Sequence, residues 1–475
     1  ATSDRNLVPK ETDERLLTAQ RLIAQRCLYG VDVNPVAAEM AKLSIWLLTL
    51  SKDKPFSFLD HAIRSGDSLI GMHVIRQLQR FSLDPNSEIQ TTFSSIPITE
   101  LIDQASGTRI QIEQLDSDTI GHVTAQARLL EEAETRTERL RFAADMLIFG
   151  YIQPASNAAE REDHISHAAV KAGQLSVSAS ADDLPGYSMR ALLGIRPFHW
   201  CIEFPEVMSH GRFDAILGNP PFLGGSRISA VLGTHYRTFL ADILAKEKGR
   251  ADLCAYFFLR SRMLLGDFGF VGLIATSSIS EGDTREVGLD ALTSRGISIF
   301  RATPSVVWPG TANVTVSCVW FTPGPWNGPK WLSGRDAQHI SSLLTASAHE
   351  AQQPVRLLEN AGLVFTGSYI YGDGFTLTPD EARSLLSSND DNKHVVFPYL
   401  IGDAFNTRPD QSHDRYVINF FDWPLTRAGT EATRCASDFP ECLAIVRSKV
   451  KPERDKVKEK RTREHWWMYA RRAVG

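Results

Sequence analysis

The feature that most constrains this chain is a recurring unit: a short apolar run, then a polar or proline-bearing turn, then a segment of helical period. CLYGVDV (27–33) carries no charge until Asp32 and reads as a short buried strand. Asn34-Pro35 follows, with Asn34 a good N-cap and Pro35 suited to the first helical position. VAAEMAKLSIWLLTL (36–50) continues as a helix expected to be largely buried, and LTAQRLIAQR (17–26), before the strand, also has helical period. The unit returns downstream. FDAILG (213–218) reads as a buried strand ending in a sharp turn, DLCAYFFLRSRMLL (252–265) as a helix and FGFVGLIATSS (268–278) as a buried strand. ISIFRA (297–302) and VTVSCVWFT (314–322) read as two more strands, separated by the turn-like VVWPGTAN. This alternation predicts an α/β fold, a parallel, doubly wound sheet with a hairpin at one edge.

The intervening and flanking sequence divides the chain further. Its 475 residues suggest two to four domains, at about 100–200 residues each. Residues 1–75 and 191–330 carry the alternating pattern. Residues 76–190 read as a mostly helical insertion, with a surface helix over LLEEAETRTERLRFAADMLI (129–148) and a loop over SVSASADD (176–183). Residues 331–475 are mixed, with Gly, Asp and Pro punctuation. An apolar fraction of 43% and a charged fraction of 23% exclude disorder and collagen-like repeats. The cysteines (Cys27, Cys201, Cys254, Cys318, Cys435, Cys442) form no C-x-x-C pair, so buried free thiols in a reducing cytosol are expected. The longest apolar run, Met40 to Leu50, is interrupted by Lys42, and the polar N-terminal residues have no signal-peptide character. A soluble, cytoplasmic protein is expected.

The formal net charge of −5 is unevenly spread. Arg447 to Gly475 holds 11 Lys or Arg against 4 Asp or Glu, leaving the other residues at −12. Interleaved with Trp466, Trp467 and Tyr469, this segment reads either as a surface for phosphates and bases or as a solvated helix face with an aromatic anchor in the core.

The strongest chemical signal is Asn219-Pro220-Pro221-Phe222, directly after FDAILG. An exocyclic amine is a poor nucleophile because its lone pair is delocalised into the ring. Two acceptors, an Asn side-chain oxygen and a backbone carbonyl, favour a pyramidal nitrogen and aim its lone pair at an electrophilic methyl group. Prolines fix the turn and lack N–H, so their carbonyls are aimed rigidly. Phe222 offers a flat face for stacking. The end of a strand is also where α/β sheets place ligands. Asp32, at the end of the first strand, suits the ribose hydroxyls of a nucleoside cofactor, with helix capping as the competing role. Asp67, in Ser65-Gly66-Asp67-Ser68-Leu69, suits the cofactor's adenine amine, with a solvated loop carboxylate as the competing role. No metal-ligand cluster is evident among the 13 His, and His199 beside Trp200 reads as a packed core histidine.

These blocks together resemble the gamma-class adenine-N6 DNA methyltransferases. The order is YGVDVNPVAAEMAKLSIWL (29–47), SGDSLIG (65–71), FHWCIEFPEV (198–207) and FDAILGNPPFLGG (213–225), followed by GRADLCAYFF (249–258), LIATSSISEGDTREVGL (273–289) and WPGTANVTVSCVW (308–320). FNTRPDQS (405–412), VINFFDWP (417–424) and WWMY (466–469) resemble the entry into that group's target-recognition region. The similarity is to the large single-chain enzymes of type IIG restriction–modification and of BREX- and DISARM-type phage defence. It implies a Rossmann-like class I methyltransferase sheet in 1–75 and 191–330, and a linker and the start of a target-recognition region in 331–475.

The resemblance also implies S-adenosylmethionine as methyl donor and duplex DNA as partner, with a base-flipped adenine as the acceptor. Other defence-system subunits are further partners; no membrane and no metal are needed. By resemblance the ribose acid is Asp32, the cofactor-adenine acid Asp67, the amine-orienting motif Asn219 to Phe222, and a second base-stacking aromatic Trp308. The family's glycine-containing first motif should precede Asp32, whereas no glycine occurs before Gly30. Robust methylation is therefore not expected of these residues alone. The competing functions are a non-catalytic DNA-recognition or scaffold module, and methylation of a protein glutamine or an RNA base amine. No nuclease constellation is evident; in type IIG relatives that domain lies upstream.

Overall fold

In a computed structural model, which describes residues 11–51, 54–87, 96–178, 194–246, 250–308, 314–346, 358–360, 370, 373–427, 433–457 and 459–470, the strand–turn–helix unit forms as the local chemistry dictates. Helix α1 (Thr12–Arg26) leads to β1 (Gly30–Asp32), and the Asn34 side chain accepts from Val36 N at 3.0 Å to cap α2 (Pro35–Leu48). β1 pairs in parallel with β2 (Ile63–Ser65). The expected burial of α2 needs correcting. Only the side bearing Ala38, Ile45 and Trp46 packs, on Leu59 and Ile63, while Val36, Met40, Leu43, Leu47 and Leu48 are exposed. A helix apolar all round can be covered on one side only, and composition cannot say which.

The chain divides into two compact units, 1–352 and 353–475. The main sheet of the first has the order β3-β4-β6-β5-β7-β8. Its strands are β3 (Phe213–Gly218), β4 (Leu265–Thr276), β5 (Ile297–Val307), β6 (Thr315–Pro323), β7 (Lys330–Leu332) and β8 (Arg335–Ala337). β3–β4 and β5–β7 are parallel, whereas β4–β6, β5–β6 and β7–β8 are antiparallel. The sheet is therefore mixed rather than parallel: the β5–β6 hairpin is inserted with β6 against β4, and apolar periodicity carries no record of strand direction.

One face packs on helix α8 (Leu253–Leu264), where Phe258 stacks on Phe321 with centroids 6.0 Å apart. The other face is open near β3. Leu217, which with Trp320 flanks the position a Cβ on Gly272 would take, is 82% exposed. FDAILG is thus a half-covered edge strand and not a buried one. Among the described residues, nothing pairs with the outer edge of β3 or with that of β1.

Between β2 and β3 lie α3 (Ile96–Gln114), α4 (Ile120–Ile152) and α5 (Ala158–Ser178). The charged stretch 129–148 belongs to α4, and one face of it is core. Leu130, Ala133, Thr137, Leu140, Ala144 and Leu147 recur every three or four residues and are buried. Residues 176–178 end α5, and the rest of the expected loop lies outside the described residues. α3 is tied down by the buried Arg109, whose Nε and Nη2 donate to Glu206 Oε1 at 3.0 and 2.8 Å. Arg109 Nη2 also donates to the His61 carbonyl at 2.5 Å.

The buried His61 ring stacks on Phe58, and burial together with the Arg109 charge pushes it down to about 3. A histidine that must stay neutral in the fold but protonates when unfolded removes stability as pH falls from about 6.5 towards 3, by about 1.4 kcal/mol per unit. The difference in urea-unfolding free energy between pH 7 and pH 5 should therefore shrink by about 2 kcal/mol in His61→Gln.

In the second unit, β9 (Thr376–Leu377), β10 (Val396–Tyr399) and β11 (Arg415–Ile418) form an antiparallel sheet of order β10-β11-β9. Helix α9 (Pro379–Ser388) opens on a capping box between Thr378 and Glu381, and α10 (Pro440–Lys449) packs nearby in the core. Trp466 and Trp467, 6% and 8% exposed, belong to that core with Phe375, Phe420 and Phe439. Trp467 Nε1 donates to the Trp423 carbonyl at 2.9 Å, and the Tyr469 hydroxyl to the Ile418 carbonyl at 2.8 Å. These rings anchor the segment in the core, and Arg461 and Arg463 beside them are exposed. The cysteines are free thiols, though Cys27 is exposed and Cys318 half-buried.

Candidate active site

β1 and β2 end side by side. Asp32 is paired with Ser65, and Gly66 N donates to the Asp32 carbonyl at 2.9 Å, which places Asp32 and Asp67 at the same end of adjacent strands. The exposed Asp32 carboxylate accepts from Asn34 N at 2.7 Å through Oδ1. That bond shapes the turn into α2 and leaves Oδ2 without a hydrogen bond among the described residues.

Asp67 is held more firmly. Its Oδ1 accepts from Leu69 N (2.9 Å), Ile70 N (3.1 Å) and the Tyr236 hydroxyl (3.2 Å), while Oδ2 accepts none among the described residues. Its loop is stitched to the segment around Phe198. Asp67 N donates to the Arg196 carbonyl at 2.7 Å, Phe198 N to the Ile70 carbonyl at 2.8 Å, and Trp200 Nε1 to the Ser68 carbonyl at 3.1 Å. Gly71, at φ 151°, makes this possible, because a Cβ there would lie 2.0 Å from the Phe198 carbonyl oxygen. Fully buried His199 accepts from Met72 N at 3.3 Å and meets Asp145 Oδ1 at 3.0 Å, a packed histidine as its sequence context suggests.

Beneath the loop lies Arg260 of α8, 3% exposed, whose Nη2 donates to the Leu69 and Gly71 carbonyls at 2.5 and 3.1 Å. Burial raises the Asp67 carboxyl; the N–H groups of Ile70 and Leu69, the Tyr236 hydroxyl and the Arg260 charge oppose that rise without cancelling it. Burial lowers Arg260 to about 10.

Asn219-Pro220-Pro221-Phe222 follows β3 at its C-terminal end. Asn219 is exposed, its side chain makes no hydrogen bond among the described residues, and Pro220 beside it is buried. Phe222 is half-buried, without a ring partner among the described residues. The turn is locked from behind. Leu253 N donates to the Leu223 carbonyl at 2.9 Å, and a Cβ on Gly225 would lie 2.0 Å from the Arg250 carbonyl oxygen. Asp252 caps α8 by accepting from Cys254 N at 3.1 Å. After the turn come α6 (Gly225–Val231) and α7 (Thr234–Phe239), and α7 carries Tyr236 back to Asp67.

Trp308, half-buried, continues β5, its N–H donating to the Val314 carbonyl at 3.0 Å. The register puts it at the same end of the sheet as Asn219, across β4 and β6. Sideways that is three strand spacings, about 14 Å, and Trp308 also lies several residues farther along the strands, since Asn219 is level with Cys318 and Thr303.

Arg260 and Tyr236 escaped the sequence reading. An arginine directly after the apolar run LCAYFFL of that helix was the available signal for the first; nothing marked the second. Among the described residues no group of three or more His, Cys, Asp or Glu is placed to hold a metal ion, and no helix is long and apolar enough to cross a membrane.

A family model for the Eco57I restriction-modification methylase matches residues 26–294, more than half of the sequence. The chain belongs to the Eco57I restriction-modification methylase family. The matched span contains Asp32, Asp67, Asn219 to Phe222, Tyr236 and Arg260; Trp308 and the basic C-terminal segment fall outside it. Over 270 residues the chain is 22% identical to a protein of Methanocaldococcus jannaschii named as a type II restriction enzyme and methyltransferase, a match covering 54% of this chain and 22% of that relative.

Among solved structures, the type IIL restriction-modification enzyme MmeI in complex with DNA is similar at 14% identity and a TM-score of 0.42, over 82% of this chain and 58% of that one. The type IIG restriction endonuclease BpuSI gives 12% identity and a TM-score of 0.19, over 54% and 36%. The chain thus spans about a fifth of the curated relative's length and little over half of MmeI.

Proposed function

We propose that this Eco57I-family chain forms the catalytic part of an adenine-N6 DNA methyltransferase that modifies host DNA in a restriction–modification or phage-defence system. The observation that carries the proposal is Asn219: an exposed amide, uncommitted among the described residues, at the end of a strand and backed by two prolines. Its side-chain oxygen and the Pro220 carbonyl accept the two N–H groups of the target amine. Phe222, and Trp308 at the same end of the sheet, stack on the base. Because an amine inside a duplex cannot reach this turn, the adenine leaves the stack, at a cost of a few kcal/mol offset by stacking and phosphate contacts.

S-adenosylmethionine supplies an activated methyl group when bound. The residues present fit its nucleoside part. Asp67 is fixed through one oxygen with the other uncommitted, an acceptor for an adenine amine, and Asp32 offers an uncommitted oxygen at the neighbouring strand end for ribose hydroxyls. We read the sheet as Rossmann-like and residues 331–475 as the entry to the target-recognition region.

In the full-length protein, transfer of labelled methyl groups from S-adenosylmethionine is offered to duplex DNA, RNA and protein side by side. Label is expected in DNA at adenine N6; label in RNA or protein alone would overturn the substrate assignment. Asp32→Ala is expected to weaken cofactor binding about tenfold by calorimetry, the worth of one hydrogen bond to a charged acceptor, and unchanged affinity would remove Asp32 from the site.

A further inference from the structure

The Tyr236 hydroxyl is the only side-chain donor on Asp67 among the described residues, and it comes from the helix that follows the Asn-Pro-Pro-Phe turn. Tyr236 itself is 6% exposed. Its helix is fixed from both sides. The preceding turn is clamped on Arg250 and Leu253, and α7 runs into a π-helical turn (Leu240–Ala245) with Phe239 and Leu240 fully buried. Tyr151 of α4 meets the Phe239 ring edge-on at 5.9 Å and donates to Asp242 Oδ2 at 2.7 Å. Tyr236 therefore has little freedom to leave Asp67.

We infer that Tyr236 is a positioning residue that holds Asp67 through Oδ1, so that Oδ2 alone faces the cofactor, and thereby couples the substrate-side turn to cofactor affinity. This rests on the reading of Asp67 as a cofactor acid. The Leu69 and Ile70 N–H groups fix the height of the carboxylate within its own loop. A third donor, approaching from α7, fixes its rotation. Arg260 supports the loop through the Leu69 and Gly71 carbonyls and makes no hydrogen bond to the carboxylate among the described residues, so rotation is left to Tyr236.

The ionisable groups facing Asp67 are Tyr236 from α7 and Arg260 from α8; Cys201 acts on Arg260, Arg260 acts on His73, and His199 bonds the loop at Met72 N. Losing the hydroxyl removes a donor that favours the ionised carboxylate, so Asp67 would protonate at higher pH.

The test is cofactor affinity of the full-length protein as a function of pH, for wild type, Tyr236→Phe, Asp67→Asn and the double variant. Tyr236→Phe is expected to weaken binding about tenfold at neutral pH and to move the acidic loss of affinity to higher pH, with duplex DNA binding unchanged. In the Asp67→Asn background the same change should have no further effect. Wild-type affinity with an unmoved acid limb in Tyr236→Phe, or an additive loss in the double variant, would overturn the inference. Wild-type binding by Asp67→Asn would instead overturn the parent reading. Should Tyr236→Phe fail to fold, 3-fluorotyrosine at position 236, a stronger donor of nearly the same shape, should move the acid limb to lower pH; no movement counts against the coupling.

Discussion

On the proposed function, methyl transfer is expected to fall by a factor of about 100–1,000 or more in Asn219→Ala, because one of the two acceptors assigned to the reacting amine is gone. The analogy is with donors in an oxyanion hole: a fixed dipole at the atom whose charge changes contributes most in the transition state and little to ground-state binding. The rest of the molecule should hardly notice. Asn219 is exposed, its amide supports nothing else among the described residues, and the turn is kept by Pro220, Pro221 and the contacts of Leu223 and Gly225. A surface change of this kind shifts stability by about 0.5 kcal/mol at most. The measurement is labelled-methyl transfer to duplex DNA in the full-length protein, with melting temperature and DNA affinity as controls. Near-wild-type transfer would remove the amine-orienting role from this turn.

The second large effect is structural. Glu203 accepts from Arg141 Nε at 2.7 Å and Arg64 Nη2 at 2.9 Å, and Arg64 also pairs with Glu134. These contacts tie α4 to β2 and to the segment carrying Phe198 and Trp200. Burial by itself would raise Glu203, but the Arg141 and Arg64 charges outweigh it and hold the carboxyl at about 2. Glu203→Gln removes the carboxylate that Arg141 and Arg64 share, leaving Arg64 with Glu134 alone, at a cost of about 3 kcal/mol.

The sign with pH follows from linkage. The folded-state value lies below the ordinary value near 4.5, so this stabilisation is complete above about pH 5 and fades as pH falls towards 2. Urea-unfolding free energies of wild type and Glu203→Gln should differ by about 3 kcal/mol at pH 7 and converge towards pH 2–3. A gap that persists there would assign the loss to packing.

Much of this architecture is written locally. β3, β4, α2 and α8 are visible because each needs only its own period and a cap or turn residue at its start. Asn219 to Phe222 stands out for the same reason: proline and asparagine chemistry is local. Strand direction is not, so a mixed sheet looks parallel until β6 is seen beside β4. Burial is not local either. The apolar surround of α2 suggested an interior helix, which packing reversed, and the aromatic cluster at Trp466 stayed open between a stacking surface and a core anchor until packing showed the anchor. The clamp on Asp67 joins residues 169 positions apart, a relation no spacing encodes.

The bare rim of β3 has a practical consequence. Backbone N–H and C=O groups there have no strand partner among the described residues, and Leu217 and Phe270 lie uncovered beside them. Such a border welcomes any extended chain, including its own kind. An extended, apolar, strand-forming segment is the chemistry that would suit that margin best.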